Sequence, residues 1–337
     1  MNKAAIKRMT RRTEFYIFLV LLLLIAVVGV ISDGALIRPN SSFTILRAMV
    51  VDGMFALCSL VVMISGGFDL SFPAVSALSY SLATTICLNN GWCQTSPLAA
   101  FALAVVFGWC LGMFNGWIIS NFKLNTMIVT LGTQTFFTGL SMGLLQLKEI
   151  TSTLPQGLKD FGSSTLLKVT DTLVGGRQVT VPLTSMIIFL IILVIITSFV
   201  LNRTMFGRAL YAIGGNEVSA ERAGYNVKRT KFLLYSVVGA VAGFTGMLRV
   251  CMASQSIPKA LVNKEMTIIP AVILGGASIF GGEGSVFGTM CAVGIITVVS
   301  NSMLLMGIDT YWQDFFNGLV ILIGVTVSAL QAMRRKN

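Results

Sequence analysis

Histidine is absent from the whole chain of 337 residues, which removes the commonest general base and the commonest metal ligand together. Charge is scarce as well: 11 % of residues are Asp, Glu, Lys or Arg, against about 25 % in an ordinary soluble domain. No Gly-x-x-x-x-Gly-Lys-Ser/Thr phosphate loop occurs, since the glycine-rich segments carry no lysine at the required offset. A nucleophile elbow, a His-Glu-x-x-His helix and a dinucleotide fingerprint are missing too. These absences exclude ATP hydrolysis by the chain itself, leave enzymatic readings without residues to carry them, and predict no cofactor or metal in the chain. Six cysteines are present without zinc spacing. Cys58, Cys110, Cys251 and Cys291 fall in apolar runs and read as small core residues. Cys87 and Cys93 bracket the loop LNNGW, where either a disulfide or two free thiols is compatible with the spacing.

What the chain has instead is apolar length. At 55 % hydrophobic residues and a mean hydropathy of +0.85 it reads as an all-α integral membrane protein, because runs near the length that crosses roughly 30 Å of hydrocarbon recur and ten-residue alternating strands do not. About ten spans fit: Phe15 to Ile31, Thr44 to Ser65, Phe72 to Leu88, Pro97 to Ser120, Thr126 to Leu147, Leu183 to Leu201, Phe232 to Ala253, Glu265 to Phe280, Ser285 to Met306 and Trp312 to Met333. The net charge of +11 does not form a soluble basic face with stacking aromatics, so no nucleic-acid partner is expected. It follows topology instead. With the N-terminus inside, fifteen of the 24 Lys and Arg residues lie on the cytoplasmic side and seven opposite, the positive-inside bias of an even span count with both termini cytoplasmic. The first span reads as a retained signal anchor in a lipid bilayer. The Lys148 to Pro182 loop, turning at Gly175-Gly176, is too small to be a binding domain of its own.

Several groups in the apolar spans could bear function. Asp52 and Asp69 are the candidate carboxylates for ion coupling, and neither sits at mid-bilayer. Asp52 lies five residues from Arg47, with an ion pair between them as one reading, while Asp69 stands where it can reach water or cap the next helix. Asn115, Thr130, Thr133, Gln134, Thr135 and Thr138 bring polar uncharged groups to the middle spans. Asn115 and Gln134 could line a solute path, or bond neighbouring helices. Glycine pairs at Gly66-Gly67 and Gly275-Gly276 follow apolar segments in the two halves, a pattern of broken helices beside a transport site or of close helix packing. Pro270 and the following GGASIFGGEGS predict that the span from Glu265 is interrupted or re-entrant.

The strongest signal is polar. Residues Asn202 to Lys231 read NRTMFGRALYAIGGNEVSAERAGYNVKRTK, with Asn216 placed to cap a short helix, Glu217 and Glu221 in its acidic half, Arg222 near its end and Gly224 to stop it. Such a helix is marginal alone. It is expected to dock into a partner; a solvated loop with topological charges is the plainer reading.

Three blocks carry a family likeness. GGFDLS at Gly66 to Ser71, FGRALYAIGGNEVSAERAGYNV at Phe206 to Val227, and AVILGGASIFGGEGSVFGT at Ala271 to Thr289 together resemble the permease subunits of ribose- and galactoside-type bacterial ABC importers. The resemblance implies a type II importer permease fold with broken or re-entrant segments. It also implies a second permease copy or paralogue, two cytoplasmic ATPase subunits that bind ATP and Mg, and a separate extracytoplasmic sugar-binding protein. The same resemblance makes Asn202 to Lys231 the loop holding the coupling helix, with Gly207, Arg208, Gly214, Gly215, Asn216, Ala220 and Gly224 matching the family's pattern. Phe72-Pro73 stands where the family has Val-Gly, with the proline at a tolerated helix start. The function expected is that of an ATP-driven sugar permease in the bacterial inner membrane, with a branched-chain amino acid or nucleoside permease as the alternative cargo, and an ion-coupled carrier or channel as the alternative class. Gly66, Gly67, Asp69, Asn115 and Gln134 are the expected path residues.

Overall fold

Long apolar runs punctuated by glycine, proline and asparagine become helices in the computed structural model, which describes residues 13–32, 34–122, 124–144, 146–172 and 178–305 together with 312, 315, 318, 319 and 322. The longer helices are α1 (Thr13–Ile31), α2 (Pro39–Ile64), α3 (Phe72–Asn89), α4 (Leu98–Phe122) and α5 (Thr126–Gly139). After a short helix α6 (Gln156–Gly162) and a β-hairpin come α7 (Ile187–Arg203), α8 (Met205–Gly215), α9 (Glu217–Arg222), α10 (Val227–Ala253), α11 (Glu265–Leu274) and α12 (Val286–Leu305).

Among the described residues five helices, α1, α2, α4, α10 and α12, are each long and apolar enough to cross a bilayer, and α7 with α8 makes a sixth such segment, bent by 71°. The expected spans at Phe72, Thr126 and Glu265 do form helices but fall short of that standard. α3 is rich in hydroxyls that bond back into the helix, such as Ser79 to Val75 O and Thr84 to Tyr80 O. α5 stops at Gly139 and passes into a π turn, Leu140–Leu144. α11 has ten residues, about 15 Å of helix, half of what a crossing needs. A count of ten is therefore not established. The expected tenth span, Trp312 to Met333, lies outside the continuously described residues, as do both termini and the Gly175-Gly176 turn.

The long loop holds structure that the all-α reading did not anticipate. β1 (Thr165–Thr172) pairs antiparallel with β2 (Gln178–Thr184), and the Asp171 carboxylate accepts from the Asn40 amide at the start of α2. Alternating Val and Thr residues supply the strand signal, which was outweighed by the helical runs either side.

The core is built on close backbone approach. In α4, a Cβ at Gly108 would meet Gly239 O at 2.3 Å and one at Gly112 would meet Tyr235 O at 2.4 Å, both across the contact with α10. Gly108, Gly112 and Gly116 lie four apart, opposite Gly239 and Gly243, so each helix presents a glycine stripe to the other. This small-xxx-small seam drives packing where no hydrophobic effect operates between helices in lipid. Phe101, Phe161, Phe189 and Phe244 interlock at centroid separations of 5.2 to 6.2 Å and tie α4, α6, α7 and α10 together. Cys58, Cys251 and Cys291 are buried as expected, but Cys110 is exposed on α4. Cys87 and Cys93 are free thiols, both buried, with sulfurs 2.9 Å apart.

Candidate coupling surface and polar pathway

The polar segment is assembled from local caps. Thr204 ends α7 and caps α8, its hydroxyl accepting from the Gly207 amide at 3.1 Å. Asn216 ends α8 and caps α9, accepting from the Ser219 amide at 2.8 Å. Gly224, at φ +89°, turns the chain toward Asn226, which caps α10 through the Arg229 amide at 2.9 Å. α9 is six residues long, too short to persist unaided. It is held by burial of Ala220 beside Ala209, Ile213 and Val227, and by an ion pair of 2.7 Å from Lys231 to Glu217.

Those contacts sort the sequence-predicted coupling residues. Gly207, Gly214 and Ala220 face inward, whereas Arg208, Gly215, Asn216, Glu221 and Gly224 are exposed. Glu217 is not a free acid but the partner of Lys231. Val218, 58 % exposed on the same short helix, escaped sequence reading because a lone valine gives no signal until its face is known. An exposed apolar side chain with Glu221 and Arg222 three and four residues on along the same helix has the composition of a docking patch.

Behind this surface three glycine blocks meet. The Ile64 carbonyl at the end of α2 accepts from the Gly282 amide at 2.9 Å, and a Cβ on Gly214 would lie 1.9 Å from that same carbonyl. Gly281 packs against Gly66 and the Gly214 carbonyl. Tyr211 of α8 donates to Gly284 O at 3.0 Å. The last turn of α8 is thus wedged directly between the two interrupted segments, the 65–71 turn and the 275–285 loop.

The turn after α2 is locked by side chains. Asp69 is buried, and its carboxylate accepts from the Ser71 amide at 2.8 Å and the Ser71 hydroxyl at 2.6 Å. Asn115 donates to that hydroxyl at 2.7 Å. Thr126 accepts from Phe68 N and Thr130 from Leu70 N, at 3.0 and 3.1 Å. Asp69 therefore caps and braces the turn rather than reaching water, and Gly66, at φ +78°, supplies its left-handed corner. Asn115 bonds to Ser71 in this turn, whereas Gln134 bonds elsewhere.

Gln134 belongs to a second polar group. Its Nε2 donates to Glu265 Oε1 at 2.5 Å, and it lines a cavity of about 30 Å³ with Thr138, Ser141, Pro258 and Leu261. Glu265 is 1 % exposed and was read from sequence only as a span boundary. Its neighbour Lys264 pairs with Asp52 at 2.8 Å, halfway along α2. This corrects the Arg47 pairing: Arg47 instead donates to Met252 O. Arg47, Asp52, Arg249 and Lys264 line an open cavity of about 440 Å³.

Similarity to known proteins agrees with this architecture. Residues 41–325 match the family model described as branched-chain amino acid transport system / permease component. The chain belongs to this permease family. It is 32 % identical over 309 residues to the ribose import permease of Bacillus subtilis, covering 91 % of this chain and 90 % of that one. The Escherichia coli ribose import permease is 29 % identical, with 91 % of each chain covered. A xylose transport permease from Haemophilus influenzae is 26 % identical over 93 % and 96 % of the two chains. No solved structure matches.

Proposed function

We propose that this permease is the membrane subunit of an ATP-driven importer of a small sugar, and that partner ATPases act on it through residues 202–231. The wedge of α8 between the two glycine-interrupted segments carries the reading. A displacement of α9, only the Gly215-Asn216 corner away from that wedge, reaches both segments without passing through flexible chain. Ribose and xylose permeases as relatives favour a sugar cargo over branched-chain amino acids or nucleosides. Both termini and the α8–α9 surface face the cytoplasm of the inner membrane in this proposal, following the positive-inside distribution. ATP and Mg reside in the partner ATPases, a second permease copy or paralogue completes the pore, and an extracytoplasmic binding protein delivers the sugar. Rocking of the spans about the glycine junction then exposes a central path alternately to each side.

The test is substitution of the exposed face of α9. Val218→Asp and Glu221→Lys, made in the reconstituted complex, are expected to reduce binding-protein-stimulated ATP hydrolysis and sugar uptake together by about tenfold, the loss of roughly 1.4 kcal/mol of docking energy. Unaltered coupling in both variants contradicts the assignment of this surface.

A further inference from the structure

One buried acid has no role in the mechanism so far. Glu265 opens α11 with its carboxylate enclosed: Oε1 accepts from Gln134, and Oε2 has no partner among the described residues. Lys264, the nearest cation in sequence, is committed to Asp52. A half-satisfied buried carboxylate is costly unless something else completes it, and an ionisable group enclosed inside a membrane protein is by default a functional one.

Its surroundings suit a solute. The Gln134 that bonds Glu265 lines a cavity with Thr138 and Ser141, so that Glu265 meets this space through Gln134 and does not itself line it, while Pro258, Leu261 and Val262 supply a closing apolar segment. That closing segment is bracketed by two non-glycine residues in left-handed geometry, Ser254 at φ +52° and Asn263 at φ +64°, a conformation that is uncommon and strained outside glycine. It is held in place by the Tyr80 hydroxyl on Ile257 O at 2.6 Å and the Ser256–Ile150 backbone pair. At about 30 Å³ the cavity admits one water and no sugar, so a solute enters only when this segment withdraws.

We propose that Glu265 is the solute-contacting carboxylate of the path, receiving two adjacent hydroxyls of a neutral polyol, one on each oxygen. A carboxylate is acceptor-only and takes paired donors side by side. In the closed state the Gln134 amide fills the place of one hydroxyl, and the other oxygen waits. This rests on the reading of the chain as a sugar permease and names the residue that meets the cargo within it.

The experiment uses the full complex in proteoliposomes, with labelled D-ribose and D-xylose as probes, and measures sugar imported and ATP hydrolysed in the same vesicles. Glu265→Gln is expected to lower the sugar-to-ATP ratio about tenfold while binding-protein-stimulated hydrolysis persists. A parallel fall of uptake and hydrolysis in Glu265→Gln, or no change in either, overturns the proposal. Should Glu265→Gln fail to assemble, Glu265→Asp, which keeps the charge but withdraws it by one methylene, must show the same selective loss. If the wild type moves neither pentose, the sugar reading itself fails first and the inference falls with it; import by the wild type with an unaffected Glu265 variant defeats the inference alone.

Discussion

Asn216 ends α8 through its backbone amide on Ala212 O and starts α9 through its side chain, so the loss of that side chain falls on α9. Asn216→Ala removes the acceptor for the Ser219 amide and is expected to cost α9 about 1 kcal/mol. Hydrogen exchange at the amides of Glu217–Arg222 should accelerate about fivefold in the intact complex, since RT sets that factor for 1 kcal/mol; an unchanged rate means the cap does not hold the helix. Caps of this kind were legible from sequence because donor and acceptor lie three residues apart, and Asn216 and Gly224 were read correctly for that reason. Glu265 was not legible, because its partner Gln134 is 131 residues away. The partner of Asp52 was out of reach on the same ground: sequence offered only an Arg47 ion pair as one reading, whereas Lys264 lies 212 residues distant.

Between elements, packing is decided by glycine placed where another backbone passes. Gly112→Leu puts side-chain atoms where Tyr235 O already sits and is expected to separate α4 from α10, costing several kcal/mol. Yield and apparent melting temperature of the purified protein should drop sharply. Gly215→Ala provides the contrast, since a Cβ there meets nothing within 4 Å; it should melt within about 1 °C of wild type, on the scale of a neutral surface change. Gly214→Ala, one residue earlier, drives a Cβ into the Ile64 carbonyl and should both destabilise the fold and impair coupling, measured as sugar moved per ATP. The interruption after α11 was readable from Pro270 and the glycines that follow. The glycine stripes on α4 and α10 were present in the sequence at four-residue spacing but were passed over in favour of adjacent glycine pairs. The β-hairpin was missed because two short strands between long apolar runs carry little signal.

Across the whole molecule the exposed α8–α9 surface and the cationic cavity around Arg47 and Arg249 are joined by α10, which runs from Val227 beside α9 to Ala253 beside that cavity. Family membership and the multi-helical plan could be read from three sequence blocks, while the meeting of those blocks at one point could not, since it depends on how α2, α8 and the 275–285 loop converge. The central claim is that motion is borrowed from a partner and not generated by an ion gradient across this chain. Uptake of labelled ribose and xylose into proteoliposomes tests it most directly, comparing the permease alone under imposed sodium and proton gradients with the complete complex supplied with ATP and binding protein. The account predicts accumulation only in the second case. Concentration of either sugar by the isolated permease would contradict it.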